Sequence, residues 1–146
     1  MPLPKDCGTP TSKRLLAALV TEDVGPFRVT GIRPAVDSLR RIFARVKADK
    51  PDLYAAVGTA GMLCVRCVRG YPAVPSNHAF GAAIDLKMHG QLVPLAADWA
   101  QLGTLQLYYY FHQEGWFWGA SWERPDAMHF EVSDERLREW HAAGLI

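Results

Sequence analysis

An aspartate between isoleucine and leucine is the strongest constraint in this chain: Ala82-Ala83-Ile84-Asp85-Leu86 reads as a short strand with a carboxylate where a core prefers carbon. An isolated ionised carboxylate is costly to bury, so Asp85 demands a cation or several donors, and a divalent metal meets that demand. Side chains alternate along a strand, which puts Ala83 and Asp85 on one face and Ala82, Ile84 and Leu86 on the other. The small Ala83 leaves room beside the carboxylate.

Two further groups can answer it. His78 lies just upstream in Ser76-Asn77-His78-Ala79-Phe80-Gly81, on a proline-bounded loop that Gly81 can turn back towards the strand. A second segment, Asp126-Ala127-Met128-His129-Phe130-Glu131, places His129 and Glu131 on one strand face while Phe130 and Val132 take the core side. Two imidazoles and one carboxylate suit a single zinc ion, and three protein ligands leave a fourth position for water, as in catalytic sites. Asp126 precedes His129 by one turn-like step after Pro125 and can stand over the metal as a proton acceptor. Ser76 and Glu131 are candidates to orient the imidazoles, since ligating histidines usually donate their other N–H to an oxygen.

Composition bounds the rest. At 146 residues, 49% hydrophobic and 21% charged, the chain suits one domain, residues 1–146, with one core. Sixteen basic and fifteen acidic residues are spread along it for a net charge of +1, so no face for nucleic acid or anionic lipid is evident. No stretch reaches the roughly 18 apolar residues of a membrane span, and the N-terminus shows no signal peptide. Cys7, Cys64 and Cys67 are an odd count that argues against a disulfide framework and suits a reducing compartment. Cys64 and Cys67 are read as two thiols on a strand.

Along the chain, Thr11 or Ser12 caps a first helix through Val20, and Gly25-Pro26 breaks it. Val36, Leu39, Ile42, Phe43 and Val46 recur at helical spacing after Pro34, with Arg40, Arg41, Arg45 and Lys47 on a solvated face. Pro51 starts a helix to about Val57, and Met62 to Val68 reads as a strand followed by a loop with Gly70, Pro72 and Pro75. Leu95 to His112 suits one or two buried helices interrupted near Gly103. A strand near Phe117, another from Met128 to Val132 and a helix from Asp134 to Ala143 follow. The expectation is an α+β fold, a small antiparallel sheet with helices packed on it. Among Trp116, Trp118 and Trp122, Trp118 is assigned to substrate contact and the others to core or pocket wall.

The pattern Ser-x-His-x-x-Gly-x-Ala-x-Asp, met by Ser76, His78, Gly81, Ala83 and Asp85, is followed by Trp118-Gly119 and by Asp126-x-x-His129-Phe130. Together these resemble the VanY-type D-Ala-D-Ala carboxypeptidases and the phage endolysin L-alanyl-D-glutamate peptidases, over roughly Gly31 to Val132. The resemblance implies a Hedgehog/DD-peptidase-like fold, zinc on His78, Asp85 and His129, and Asp126 as general base. It further implies an arginine before the Ser-x-His loop that polarises the scissile carbonyl, with Arg66 favoured and Arg69 as the alternative. The substrate it implies is a peptidoglycan stem peptide, cut at the bacterial cell wall by a monomeric, phage-type or bacterial enzyme; which bond is cut stays open. Two other classes compete: a catalytically silent zinc-stabilised cell-wall or protein binding domain, and a thiol-disulfide protein using Cys64 and Cys67.

Overall fold

Pro34 in the first turn and a strict apolar stripe make the longest helix. The computed structural model describes residues 13–146, and in it α2 spans Arg33–Asp49, after a short α1 (Lys13–Ala18) and a β1/β2 hairpin (Leu19–Asp23, Arg28–Ile32). Val36, Leu39, Ile42, Phe43 and Val46 are completely buried. Each such side chain contributes roughly 1.5–3 kcal/mol of transfer free energy. The helix stops at Lys50 because the residue before Pro51 is disfavoured in the α region, and Pro51 then opens α3 (Pro51–Ala56). The arginine face is not merely solvated. Arg33 and Arg40 pair with Glu22 of β1, and Arg41 pairs with Glu114 at 2.9 Å.

The central sheet is antiparallel, in the order β3 (Val57–Gly61), β6 (Ala83–Met88), β8 (His129–Val132), β7 (Trp116–Trp118). Between its strands run β4 (Cys67–Val68) and β5 (Tyr71–Pro75), a small hairpin, and α4 (Leu102–Gln113); α5 (Asp134–Ala142) follows, its Ser133 cap accepting from the Arg136 N–H at 3.2 Å. Ile84, Leu86, Phe130, Val132 and Trp116 turn one sheet face into the core with α2 and α4. The opposite face carries Ala83, Asp85, His129 and Glu131. This is the α+β architecture expected from the sequence.

Four local expectations are corrected. The strand expected over Met62 to Val68 forms only at its end, as β4 (Cys67–Val68), and the central sheet takes β3 instead, because backbone groups of the Met62–Arg66 run are taken elsewhere. Cys64 donates to the His78 carbonyl at 2.9 Å, and the Arg66 carbonyl accepts from Ser76 at 3.0 Å. The first helix ends at Ala18 and the β-branched Val20 and Thr21 enter β1, where Thr21 and Thr30 bond across the pair at 2.8 Å; its expected caps lie outside the described residues. The loop expected around Gly70 to Pro75 is largely β5, with Gly70 in the turn at φ +86°. Leu95 to Gln101 is irregular rather than helical: Ala96 adopts φ +65° and its N–H reaches the Pro125 carbonyl at 2.7 Å. Gly103 does not interrupt α4; it lets the helix pass β6, since a Cβ there would lie 2.1 Å from Met88 Sδ.

The two thiols differ as well. Cys64 is buried and disulfide-bonded, while Cys67 is exposed and free, so they are not partners of each other and the reducing-compartment expectation loses its basis.

Candidate metal centre and catalytic cavity

Strand register places the first two ligand candidates. Asp85 of β6 lies directly opposite His129 of β8, and Ala83 opposite Glu131, so all four share the non-core face. The third arrives on a 3-10 turn, Asn77–Phe80, whose first residue follows Ser76; the Ser76 hydroxyl accepts from the His78 N–H at 3.3 Å. Gly81 ends this turn at φ +65°, packed so tightly on β2 that a Cβ would lie 2.8 Å from the Gly31 Cα. The turn is thereby pressed against the hairpin and His78 is aimed at the sheet.

His78 Nε2, Asp85 Oδ1 and His129 Nδ1 form a triangle with sides of 3.1, 3.2 and 3.2 Å. Donors bound tetrahedrally at about 2.0 Å stand about 3.3 Å apart. The outer nitrogens fix the tautomers. His78 Nδ1 lies 2.6 Å from the Met62 carbonyl, which only accepts, so that nitrogen carries the proton. His129 Nε2 lies 2.8 Å from Glu131 Oε2 and donates to it. In their neutral forms both imidazoles therefore aim bare lone pairs, beside a carboxylate oxygen, at one point. That arrangement is repulsive until a cation fills it, and the donor set fits zinc. His78 and His129 are 2% and 5% exposed, so water screens little of this.

The titration behaviour agrees. Burial disfavours the His129 imidazolium, but the carboxylates of Asp85 and Glu131 outweigh it and push its pKa up to about 9. Burial likewise disfavours charge on Asp85, yet hydrogen bonds from His129 and His78 hold it well below the usual carboxylate range.

A cavity of about 430 Å³ opens above the triangle, lined by Asp126, Arg66, Arg69, Ser76 and Glu131 in addition to the three donors. Burial raises the Asp126 pKa, the charge of Asp85 adds to this, and His129, His78 and Arg66 partly offset it. Its Oδ1 is buried with no hydrogen-bond partner. The backbone of Asp126 is pinned: its N–H donates to the Gly119 carbonyl at 2.9 Å, and a Cβ on Gly119 would stand 2.6 Å from the Asp126 carbonyl oxygen. The Trp118-Gly119 and Asp126-x-x-His129 halves of the sequence pattern are thus one structural unit.

Two assignments shift. Arg66 is not inside a strand; it lies on the connection before β4, half-buried, with its guanidinium also donating to the Cys67 carbonyl at 3.3 Å. Trp118 does not line the cavity. It stacks on Phe130 at 5.9 Å and donates to the Ala127 carbonyl at 2.8 Å, bracing the Asp126 loop from below. Trp122 forms the wall instead, 5.2 Å from the His129 ring. The carbonyl of Met62, which fixes the His78 tautomer, has no counterpart in the sequence reading, since a backbone oxygen has no residue signature.

The α+β domain thus carries two imidazoles and a carboxylate that could hold a metal ion at the base of a cavity, with an unpaired carboxyl above them. A family model, Peptidase_M15_4, described as D-alanyl-D-alanine carboxypeptidase, matches residues 69–132. That segment holds every triangle donor together with Asp126, Glu131 and Arg69 but not Arg66, and over it the chain is similar to this VanY-like family. No curated protein matches the chain.

Proposed function

We propose that residues 1–146 form a single zinc-dependent peptidase domain that hydrolyses bonds in the stem peptides of bacterial peptidoglycan, working as a monomer at the cell wall. The observation that carries the metal is the 3.1–3.2 Å triangle of lone pairs. The family match carries the peptidase and its peptidoglycan substrate. Among the described residues no helix is long and apolar enough to cross a membrane.

A zinc ion on His78, Asp85 and His129 would supply a Lewis acid and a water acidified to a pKa of roughly 7. The chain's own residues do the rest. The Glu131 carboxylate and the Met62 carbonyl hold the imidazoles in the ligating tautomer. Asp126, with a raised pKa and an uncommitted oxygen, takes a proton from the attacking water and returns it to the departing amine. Arg66, near enough to Asp126 to affect its titration, faces the developing oxyanion.

The test is a digest of purified peptidoglycan read by mass spectrometry, with zinc, with chelator, and with Asp126→Ala. Peptide release that needs both zinc and Asp126 is expected. Zinc binding by both proteins with release by neither would favour a silent binding domain. Activity that survives chelation but depends on Cys64 or Cys67 would favour thiol chemistry.

A further inference from the structure

Three guanidinium groups, Arg66, Arg69 and Arg124, line the same cavity as the metal donors. Several arginines elsewhere on the surface find carboxylates, Arg33 and Arg40 with Glu22, Arg41 with Glu114 and Arg136 with Glu139, while Arg14 and Arg28 donate to backbone carbonyls. Among the described residues Arg66 and Arg124 have no such partner, although Glu123 is the chain neighbour of Arg124 and lines the cavity too. Arg124 is nevertheless held in place. Its Nη1 donates to the Arg69 carbonyl at 3.0 Å, joining the β7–β8 connection to the β4/β5 hairpin. Gly70 leaves this crossing open, since a Cβ there would stand 3.2 Å from the same nitrogen. One carbonyl occupies one of the five N–H donors of a guanidinium, so a fork able to grip a carboxylate with two bonds is left over.

We propose that Arg124 is a carboxylate clamp that binds the free carboxylate on the residue whose amine leaves when the peptide is cut. This rests on the peptidase reading, in which Asp126 and Arg66 serve the water and the carbonyl and leave Arg124 to the leaving half. The shared chemistry has two sources in stem peptides: the terminal carboxylate of a D-alanyl-D-alanine end, or the carboxylate that D-glutamate keeps free after its other one enters the next bond. In both, the anion belongs to the residue on the amine side of the scissile bond.

The experiment uses the zinc-loaded protein and two pairs of synthetic peptides: one ending in D-Ala-D-Ala as free acid or as terminal amide, one containing L-Ala-γ-D-Glu with its free carboxylate intact or amidated. Wild type should prefer the acid of its true substrate pair by about 10- to 100-fold in kcat/KM, the range for a charge-assisted hydrogen bond. The pair it cleaves identifies the source. Arg124→Gln should abolish the preference by slowing the acid alone, while Arg124→Lys keeps part of it. In parallel, calorimetry with zinc-loaded Asp126→Ala should show the same acid preference in binding, lost again on adding Arg124→Gln. Equal cleavage of acid and amide by wild type, or equal slowing of both by Arg124→Gln, would overturn the clamp and leave only a hairpin tether, with the peptidase reading intact. No cleavage of any peptide, with Arg124-dependent acid preference persisting in binding, would keep the clamp and overturn hydrolysis.

Discussion

Replacing Asp126 should move activity and stability in opposite directions. A positioned general acid–base contributes about 10²–10⁴-fold, so Asp126→Ala should lower kcat/KM by that factor while zinc stoichiometry stays at one. Stability has the other sign. Oδ1 is buried without a donor, and an unsatisfied buried polar atom costs roughly 1–3 kcal/mol. Its removal should raise the midpoint of thermal unfolding of the metal-free protein by about 2–12 °C for a domain of this size. The pH dependence follows from the raised folded pKa. Between the ordinary value of 3.8 and that raised value the native state holds more protons than the unfolded chain, so wild-type stability falls as pH rises through the window. The pH-dependent part of the advantage of Asp126→Ala should therefore be absent below pH 3.8 and complete above the folded pKa. Calorimetric melts across pH, paired with peptide-release assays, measure both effects. A variant that loses stability along with activity, or retains activity within tenfold, would refute the reasoning.

Three other perturbations read the rest of the site. Zinc affinity of the metal-free protein should rise about tenfold per pH unit up to about pH 9, because the proton that Asp85 and Glu131 hold on His129 must leave first; competition titrations with a chromophoric chelator would show it. Without metal the same proton stabilises the fold fully below the ordinary value of 6.5, and that stability is lost as pH rises through about 9. Glu131→Gln should weaken zinc binding by about 10- to 100-fold by releasing the His129 tautomer, measured in the same titration. Gly119→Ala should leave zinc bound but cost at least tenfold in activity, since its methyl group would stand 2.6 Å from the Asp126 carbonyl oxygen and shift that loop; peptide release and metal analysis on one sample decide it.

The parts of this site legible in the sequence are those that local periodicity and side-chain chemistry dictate. Asp85 between Ile84 and Leu86 announces a carboxylate needing a partner, and alternation assigns Ala83, His129 and Glu131 their faces. The stripe from Val36 to Val46 gives α2 for the same reason. What escaped is set by partners distant in the chain. Met62 to Val68 has strand-like residues, but Met62 and Cys64 bond to His78 and only Cys67–Val68 is strand, in the small hairpin, so the central sheet takes Val57–Gly61 instead. Trp118 and Trp122 are alike in composition; only the stacking of the first on Phe130 and the approach of the second to His129 separate brace from wall.

Register is what ties these scales together. Because Asp85 faces His129 across one antiparallel pair, a slip of one residue would turn one of the two strands over, sending either Asp85 or His129 into the core and Ile84 or Phe130 out to the cavity. Burial of Ile84 and Phe130, both completely inaccessible, therefore fixes the alignment that the donors need. The metal site does not have to organise the sheet, because the hydrophobic face has already done so. A metal-free protein should consequently keep its fold and bind zinc into a prepared triangle, unlike small domains that fold only on their metal. Far-ultraviolet circular dichroism of chelated protein, with native-like signal and cooperative melting, is the expected result; a collapsed signal restored by zinc would show that the ion, not the apolar face, sets the register.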